Sequence, residues 1–521
     1  MAAHRAETIP GARRRIGLLS RSDAGRLLRT YGYRRGHAVV TAGAARQLAG
    51  LAESWTESSS RPGTWSLGLA GLGGPYRGRA FKVYRDAPAV LLTPVGDAVL
   101  ARWSGTAPGE APTDARRKRP PARRGPFVDV LGTGAAISGR TVSDLACTCA
   151  TFGVGPPEPG DHPLDRLRAE ARAICRLYLA ELAFIDELDL GLDPSTLAST
   201  GGVATALLRE AGVPAFAGRL DLPAPVAGAS ASAFTGGLGA AFVVHVPVPG
   251  VEADMSGTFA RAASAAGAQD LFVAERVLVE DALEWVPGLL SEIVGGSSFL
   301  DRQTLRRVGR TLVWAEPAGH VLAVKALYDD GARLAMAPTD LSGWWWASDL
   351  LAGAQLADGA LPPITAAVEL VPVGIVPGLR PVRLLTGRVV DLCRDDLALA
   401  LLDERAAVKV DEGLPAWRRD LVDGLLKRLA VATFYGNLAR IDRERVAVPA
   451  LDEGLGTDGE RVGVVHPYAE RPGPYTSLAL AGMVTAMARL MACRAIARIE
   501  GAGGAVLALT IDSLLVAATH D

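Results

Sequence analysis

Residues 505–518 read Ala-Val-Leu-Ala-Leu-Thr-Ile-Asp-Ser-Leu-Leu-Val-Ala-Ala, two short apolar runs around Thr510-Ile511-Asp512-Ser513. Apolar runs of this length on either side of a short polar break predict two strands, Ala505–Leu509 and Leu514–Ala518. The hairpin that they form puts Asp512 at its tip, where the carboxylate stays solvated. Inside either strand the same carboxylate would carry a desolvation cost. The stretch therefore predicts an antiparallel hairpin that presents one carboxylate to solvent.

Helical patterns lie upstream of this hairpin. Ser477–Glu500 has the apolar spacing of a helix and is closed by the Gly501–Gly504 run. Residues 396–412 and 418–440 predict two further helices, joined by a turn at Gly413–Pro415. The second half of the chain thus predicts a helical hairpin, a long helix and the terminal strand hairpin, in that order.

Strand patterns alternate with helices further towards the amino terminus. Gly236-Gly237 predicts a turn, and Ala241–Ala253 predicts a strand that runs into Asp254. Phe127–Leu131 predicts another strand, and Leu164–Leu188 a helix. The whole pattern predicts an α/β (α+β) fold.

Composition places the chain among folded proteins with more than one domain. Of its 521 residues, 49% are hydrophobic and 21% charged, which excludes a disordered chain, and the length favours two or three domains. The formal net charge is −1, so any nucleic-acid surface must be a local basic groove. The basic run within Ala107–Pro126 is interpreted as a solvated loop or linker.

Cysteine usage and hydropathy bear on location. The five cysteines have no zinc-ligand spacing, which predicts a reduced, cytoplasmic protein without a structural metal. The amino terminus lacks an apolar signal region, and the small-residue run around 227–251 is broken by Pro and Gly. We therefore expect neither export nor membrane anchoring.

Two carboxylates and two cationic helices form the candidate catalytic constellation. Two-metal nucleotidyl transfer needs carboxylates from separate strands, and Asp254 and Asp512 meet that requirement. Arg405 and Lys409 are four residues apart on one predicted helix, where they can carry positive charge to a triphosphate. The alternative is that both aspartates are ordinary strand-end carboxylates that hold no metal.

Four segments, Phe234–Gly237, Asp254–Phe259, Val484–Arg489 and Thr510–Ser513, together resemble the palm motifs of the family B DNA polymerases. Phe234-Thr235-Gly236-Gly237 is similar to the Tyr-x-Gly-Gly motif that contacts template ahead of the palm. Asp254-Met255-Ser256-Gly257-Thr258-Phe259 is similar to Asp-x-x-Ser-Leu-Tyr-Pro, in its Asp and its aromatic residue. Thr510-Ile511-Asp512-Ser513 matches Asp-Thr-Asp-Ser with Thr in place of the first Asp. Val484–Arg489 looks like the Ile-Thr-Ala-x-x-Arg helix that precedes that motif.

The helical hairpin resembles the fingers of the same family. Arg405-x-x-x-Lys409 corresponds to the basic pair of the first fingers helix. Lys427 through Phe434-Tyr435-Gly436 resembles Lys-x-x-x-Asn-Ser-x-Tyr-Gly, with Val431 where the Asn is expected and one residue more before Tyr-Gly. Lys427, Val431 and Tyr435 share a face of the predicted helix.

The resemblance implies a degenerate, bacterial-type family B polymerase that carries out template-directed DNA synthesis. It implies an RNase H-like exonuclease-type domain in 1–225, a palm with an insertion in 226–395, fingers in 396–450 and the rest of the palm in 451–521. Its partners would be a DNA primer-template and a deoxynucleoside triphosphate, with two Mg²⁺ ions, or Mn²⁺, as cofactors.

The resemblance also implies a role for each site residue. Asp254 and Asp512 would hold the metal ions, and Phe259 would exclude a ribose 2′-hydroxyl. Arg405, Lys409, Lys427 and Tyr435 would bind the nucleotide, and Gly236 and Gly237 would contact DNA.

The front half lacks the acidic residues of the family's proofreading nuclease. Arg166 and Glu170 stand where the family has Tyr-x-x-x-Asp, Gly43 and Gln47 where it has Asn-x-x-x-Asp, and no Asp-x-Glu occurs near the start. We therefore predict a structural domain and weak synthesis without proofreading. The sequence ends nine residues after Asp512, before the family's thumb, so we expect poor processivity unless a second polypeptide supplies a thumb.

Two other hypotheses remain open at this point. One is a catalytically inactive, polymerase-like scaffold that binds nucleic acid or a partner subunit, and the other is an unrelated α/β protein. Asp340 competes with Asp254 for the first palm position, but Asp254 follows the Gly-Gly motif and a strand. The run Trp344-Trp345-Trp346 is interpreted as a buried or partner-facing aromatic cluster.

Overall fold

A computed structural model of the chain gives its architecture. It describes residues 2–3, 17–18, 39–42, 52–57, 65–69, 90–95, 98–103, 127–140, 144–158, 160–197, 199–234, 239–241, 249–295, 301–316, 326–328, 334–336, 342–356, 359–455, 461–510 and 513–517. These ranges contain both helices and strands, which confirms the predicted mixed α/β class.

The strands are β1 Ala2–Ala3, β2 Gly17–Leu18, β3 Val39–Thr41, β4 Ala52–Glu57, β5 Trp65–Leu69, β6 Val90–Val95, β7 Ala98–Trp103, β8 Phe127–Asp129, β9 Gly239–Ala241, β10 Gly250–Asp254, β11 Arg276–Asp281, β12 Thr311–Ala315, β13 Ala326–Tyr328, β14 Leu334–Met336, β15 Gly343–Trp346, β16 Ile364–Val373, β17 Val382–Arg383, β18 Val389–Val390, β19 Ile441–Leu455, β20 Arg461–Pro472, β21 Val506–Thr510 and β22 Ser513–Ala517.

The helices are α1 Val130–Ser138, α2 Leu145–Thr151, α3 Pro163–Leu188, α4 Thr200–Glu210, α5 Ala224–Ala233, α6 Thr258–Ala266, α7 Ala268–Val273, α8 Val286–Val294, α9 Arg302–Gly309, α10 Ala347–Leu356, α11 Leu397–Val410, α12 Ala416–Val431 and α13 Leu478–Gly501. A π-helical turn, Ala432–Gly436, continues α12.

The chain divides into two compact units, each made of separate segments. The first unit comprises Met1–Ala206, Val408–Leu425 and Asp442–Arg471. The second comprises Leu207–Ala407, Leu426–Ile441 and Pro472–Asp521.

The first unit contains the four-stranded antiparallel sheet β4-β5-β6-β7 and the parallel pair β3-β8. Helices α1, α2 and α3 pack on one another, with Phe152 and Phe184 in edge-to-face contact at 6.2 Å between ring centroids. The predicted strand Phe127–Leu131 is shorter than expected. Asp129 ends the strand because its side chain accepts a hydrogen bond from the Leu131 backbone N–H, at 3.2 Å, and thereby caps α1.

The second unit contains two four-stranded sheets, β10-β22-β21-β9 and β11-β16-β12-β15. Helix α13 runs through its core and packs on α5, α6 and α10. The guanidinium of Arg489 donates from Nε and Nη2 to the two carboxylate oxygens of Asp349, at 2.8 and 3.0 Å, which fixes α13 to α10. Both side chains of this ion pair are buried. Replacement of either one alone would therefore leave a buried charge without a partner.

Helix α13 is also the one helix of the described ranges that is long and apolar enough to cross a membrane. Its most apolar window has a mean hydropathy of 1.4 and is 83% buried inside the protein. Burial of that extent is what a core helix of a folded unit shows.

The three tryptophans of the run Trp344-Trp345-Trp346 differ in burial. Trp346 is fully buried, and Gly482 makes room for it, because a Cβ there would lie 2.6 Å from the Trp346 Nε1. Trp344 is half-buried and makes an edge-to-face contact with Trp314, at 5.7 Å between centroids. Part of the predicted aromatic cluster is therefore core.

The predicted helices and the terminal strand hairpin are present, with boundaries within two residues of the prediction. The exception is the predicted helix 418–440, which is α-helical only to Val431. The predicted strand Ala241–Ala253 is wrong as a single element. Two strands, β9 and β10, occupy its ends and belong to opposite edges of one sheet. Residues 242–248, between them, lie outside the described residues, as does Asp340.

Candidate functional site

The sheet β10-β22-β21-β9 positions Asp254 at the end of a strand. Strand β10 pairs antiparallel with β22, so that Asp254 lies opposite Ser513, the residue that follows Asp512 in the chain. Strands β21 and β22 pair in turn, with Thr510 opposite Ser513. All five residues of β10 are exposed. The Asp254 carboxylate is thus a solvated strand-end group beside the β21–β22 hairpin, as the sequence predicts.

Three predicted site residues cannot be placed. Asp512, Gly236 and Gly237 lie outside the described residues. Their roles stay predictions.

The loop after Asp254 is a tight turn that depends on one glycine. The Ser256 backbone N–H donates to the Asp254 carbonyl at 3.0 Å, and the Thr258 N–H to the Met255 carbonyl at 3.2 Å. Gly257 has a φ of +73° and precedes α6. A Cβ at this position would lie 2.5 Å from Cδ2 of Leu402 on α11. Glycine is therefore required both for the backbone conformation and for the close approach of α11.

Arg405 on α11 contacts this loop. Its Nη1 donates to Ser256 Oγ at 3.3 Å, and the side chain is buried. This contact brings a guanidinium group within two residues of Asp254. The sequence predicts Arg405 as a nucleotide-binding residue, and the structure brings it to the loop of the predicted metal ligand.

The amino-terminal end of α11 is held by two polar side chains. Asp396 accepts from the Leu399 N–H at 3.2 Å and from Ser264 Oγ of α6 at 2.7 Å. Gln269 of α7 accepts from the Leu397 N–H at 2.6 Å and donates to the Leu392 carbonyl at 2.8 Å. These bonds satisfy helix-terminal N–H groups and fix the direction of the helix that carries Arg405.

Two aromatic stacks join the π-helical turn to α6 and α7. Phe259 and Tyr435 stack with centroids 4.8 Å apart and ring planes 14° apart. Phe272 and Phe434 stack at 5.5 Å and 15°. Phe259 is buried, whereas Tyr435 keeps partial exposure. The predicted sugar-contacting residue and the predicted tyrosine are therefore direct neighbours.

The helix that carries Lys427 ends in a π-helical turn, which contains Tyr435 and Gly436. The predicted helix 418–440 is α-helical only to Val431, after which the Asn437 N–H donates to the Ala432 carbonyl five residues back, at 2.8 Å. In a regular α-helix, eight residues would turn Tyr435 about 80° away from Lys427. A π turn holds one more residue than an α turn and removes most of that difference. Tyr435 lies within this π-helical turn, where it stacks on Phe259.

The two predicted lysines are exposed. Lys427 lies on α12 in the second unit. Lys409 belongs to the first unit, where its Nζ forms an ion pair with Asp423 at 3.8 Å. Exposed amines of this kind remain solvated and can exchange such a partner for a phosphate at small cost.

No group of three or more His, Cys, Asp or Glu side chains converges within the described ranges. Asp254 offers the hard oxygen ligands that Mg²⁺ prefers. A two-ion site needs at least one more carboxylate, and Asp512 is the residue that the sequence offers for it.

Sequence reasoning missed several residues of this arrangement. Ser256 contacts Arg405, Leu402 packs on Gly257, and Arg261 donates from Nε to the Ser256 carbonyl at 3.1 Å. No local pattern identifies these contacts, because each joins a loop atom to a side chain on a helix. For Arg261 a weak signal existed, since it is a lone cation on an otherwise small and apolar α6.

The first unit contains a different carboxylate arrangement. Glu181 on α3 is fully buried, and neither of its carboxylate oxygens has a hydrogen-bond partner. Burial, together with the negative charge of Asp129, raises the pKa of Glu181 well above its usual value. Gly134 makes room for the side chain, since a Cβ there would lie 2.9 Å from Glu181 Oε1. A neutral, protonated Glu181 follows from this environment.

The positions that the sequence compares with nuclease motifs are exposed or lie outside the described residues. Arg166 donates from Nε to the Gly160 carbonyl at 2.6 Å, and Glu170 faces solvent. Gly43 and Gln47 lie outside the described residues. The absence of nuclease activity stays a prediction.

Comparison with known proteins finds similarity to solved structures alone. The chain is similar to phi29 DNA polymerase in complex with primer-template DNA and incoming nucleotide substrates, with a TM-score of 0.47 and 10% sequence identity. It is similar to the same polymerase in complex with single-stranded DNA, with a TM-score of 0.45 and 11% identity. Each match covers 98% of this chain and 75% of the polymerase. No family model matches the sequence, and no curated protein does.

Proposed function

We propose that this chain is a DNA-directed DNA polymerase of the family B type, which extends a primer on a DNA template by two-metal nucleotidyl transfer. One observation carries the proposal. The loop that begins at Asp254 is contacted by Arg405, and it leads into the helix whose Phe259 stacks on Tyr435. A solvated carboxylate, a guanidinium group and an aromatic pair thus meet within one short segment.

Each of these groups has a function in nucleotide addition. Asp254 and Asp512 would hold two Mg²⁺ ions, which when bound lower the charge on the attacking and leaving oxygens. Arg405 and Lys427 would bind the triphosphate, where negative charge develops on the leaving pyrophosphate. Lys409, which the sequence pattern adds to this set, is proposed for the same role.

The aromatic pair would select the sugar. Phe259 is held flat against Tyr435, so its ring has little freedom to move away from a substituent on the ribose. A 2′-hydroxyl that meets a fixed apolar ring loses its hydrogen bonds to water without a replacement, which penalises a ribonucleotide. Gly236 and Gly237 are proposed to contact the template.

The proposal includes partners and location. The substrates would be a DNA primer-template and a deoxynucleoside triphosphate. Synthesis without proofreading in the cytoplasm is expected.

An inactive scaffold is the second candidate, and two substitutions favour it. Thr510 stands where the resemblance leads us to expect a carboxylate, and Val431 stands where it leads us to expect an asparagine. In this case the protein would bind nucleic acid or a partner polymerase subunit without chemistry.

Primer extension separates the two candidates. The purified chain would be assayed with Mg²⁺ or Mn²⁺ and all four deoxynucleotides, beside Asp254→Ala and Asp512→Ala. Asp420→Ala, an exposed aspartate of the first unit, serves as the matched control. Extension by the wild type and the control, lost in both site variants, supports the polymerase. A wild type that binds primer-template without extending it, and gains no thermal stability from nucleotide and Mg²⁺, supports the scaffold.

A further inference from the structure

Arg261 contacts the same loop residue as Arg405. Arg261 is in the first turns of α6 and is exposed, and its Nε donates to the Ser256 carbonyl at 3.1 Å. Arg405 donates to the hydroxyl of the same residue. Two guanidinium groups therefore converge on Ser256, two residues after Asp254.

The charge of Arg261 is not balanced by an acidic side chain within the described ranges. The four arginines on or next to α9 in the same unit differ in this respect, since each forms an ion pair with an aspartate or a glutamate: Arg302, Arg306, Arg307 and Arg310. The first turn of α6 contains no acidic residue either. Positive charge near a helix amino terminus is unfavourable, so a nearby anion would stabilise this arrangement.

The geometry of Arg261 also leaves donors available. The bond from Nε to the carbonyl holds the guanidinium plane against the loop, while Nη1 and Nη2 have no partner in the described part of the chain. Those two nitrogens can donate together to a phosphate group, which a lysine tethered in the same way could not do. The ligand that fits these donors is therefore a polyphosphate bound beside Asp254 and Arg405.

We propose that Arg261 binds the triphosphate of the incoming nucleotide as an additional cation beside Arg405. This inference rests on the proposed function and deepens it, because the motifs that suggest a polymerase assign no role to residue 261. Arg261 would orient the triphosphate and would not take part in proton transfer. Its loss should therefore weaken nucleotide binding more than it slows turnover.

Steady-state primer extension and a binding measurement with inorganic tripolyphosphate and Mg²⁺ test the inference. We expect Arg261→Gln to raise KM for the deoxynucleotide about ten-fold and to weaken tripolyphosphate binding by a similar factor, with a smaller change in kcat. Arg261→Lys retains the charge but loses the tether, so it should restore part of the affinity. Arg394→Gln, which removes an exposed arginine in the same unit, should leave both quantities unchanged.

The outcomes separate this inference from the proposed function. If Arg261→Gln lowers the unfolding temperature but changes neither KM nor tripolyphosphate affinity, Arg261 only caps the loop and the inference is overturned. A wild type that binds tripolyphosphate through Arg261 yet never extends a primer would keep the phosphate site at Arg261 and overturn the polymerase. A wild type that binds neither tripolyphosphate nor nucleotide would overturn both.

Discussion

Asp129 in the first unit and Asp254 in the second each end a strand that is followed by a helix, but their surroundings differ. Asp129 caps α1 and lies near the buried Glu181, whose pKa its charge helps to raise. Asp254 is exposed at its strand end, and Arg405 and Arg261 both donate to Ser256 in the loop that follows. The same element order therefore gives a structural carboxylate in one unit and an available one in the other. What decides the difference is the set of groups that surrounds each strand end.

The largest expected effect is at Asp254. Asp254→Asn keeps the size of the side chain but removes the charge, so we expect primer extension to fall about a thousand-fold, as several kcal/mol of transition-state stabilisation are lost. Single-turnover extension with Mg²⁺ measures the loss. Activity close to that of the wild type would mean that Asp254 has no catalytic role and does not differ from Asp129 in this respect.

Phe259 tests whether the aromatic pair selects the sugar. Phe259→Ala removes the ring that stacks on Tyr435, and we expect the preference for deoxynucleotides over ribonucleotides to fall about ten- to a hundred-fold. The measurement is the ratio of kcat/KM for dATP and ATP on one primer-template. Leu271→Ala, which shortens a buried side chain on the neighbouring helix α7, is a control for general loss of packing.

Glu181, near Asp129 in the first unit, should make the stability of the protein depend on pH. Because its pKa is raised in the folded protein, the folded state holds a proton that the unfolded state releases. Stability is therefore highest below the ordinary glutamate pKa, and it falls as pH rises towards the raised value, by about 1.4 kcal/mol per pH unit. We expect Glu181→Gln to remove this dependence and to be more stable than the wild type at pH 8.

Denaturant unfolding of the wild type and Glu181→Gln between pH 4 and pH 8 measures that effect. Glu170→Gln, an exposed glutamate of the same helix, should follow the wild type at every pH. Parallel curves for all three proteins would mean that Glu181 finds a partner when it ionises.

The smallest expected effect is at Asp129. Asp129→Ala removes the cap of α1, which costs about 1 kcal/mol of stability. We expect primer extension to stay within about two-fold of the wild type, since capping contributes stability rather than chemistry. Urea unfolding and the extension assay together measure both quantities. A large loss of extension would show that this strand end contributes more than a helix cap.

Much of the architecture could be predicted from local patterns. The α11–α12 helical hairpin, α13 and the β21–β22 hairpin follow from apolar spacing and from turn residues that lie next to them in the chain. Asp254 at the end of β10 could be predicted for the same reason. The prediction of one strand over Ala241–Ala253 failed, because alternation alone cannot tell which edge of a sheet each end joins.

The candidate site was predictable only in part. Asp254 and Arg405 could be named from strand-end position and helical spacing, and Phe259 and Tyr435 from the motif resemblance. Arg261 and Ser256 could not be named, because their contacts join a backbone loop to helices. Glu181 falls on the apolar stripe of α3, between Leu177 and Ile185, so its spacing indicates the buried face. That its carboxylate has no hydrogen-bond partner there was not predictable, because it depends on which groups the other elements bring to it.

The sequence by itself determined the order of strands and helices and the residue types that could hold metal and phosphate. These depend on neighbours within a few positions, and local pattern encodes them. Only the tertiary structure decided that Tyr435, within a π turn, stacks on Phe259, that two arginines meet at Ser256 and that Glu181 loses its contact with water. Those features depend on contacts between segments far apart in the chain, where burial and distance set the charge and hydrogen bonding of each group.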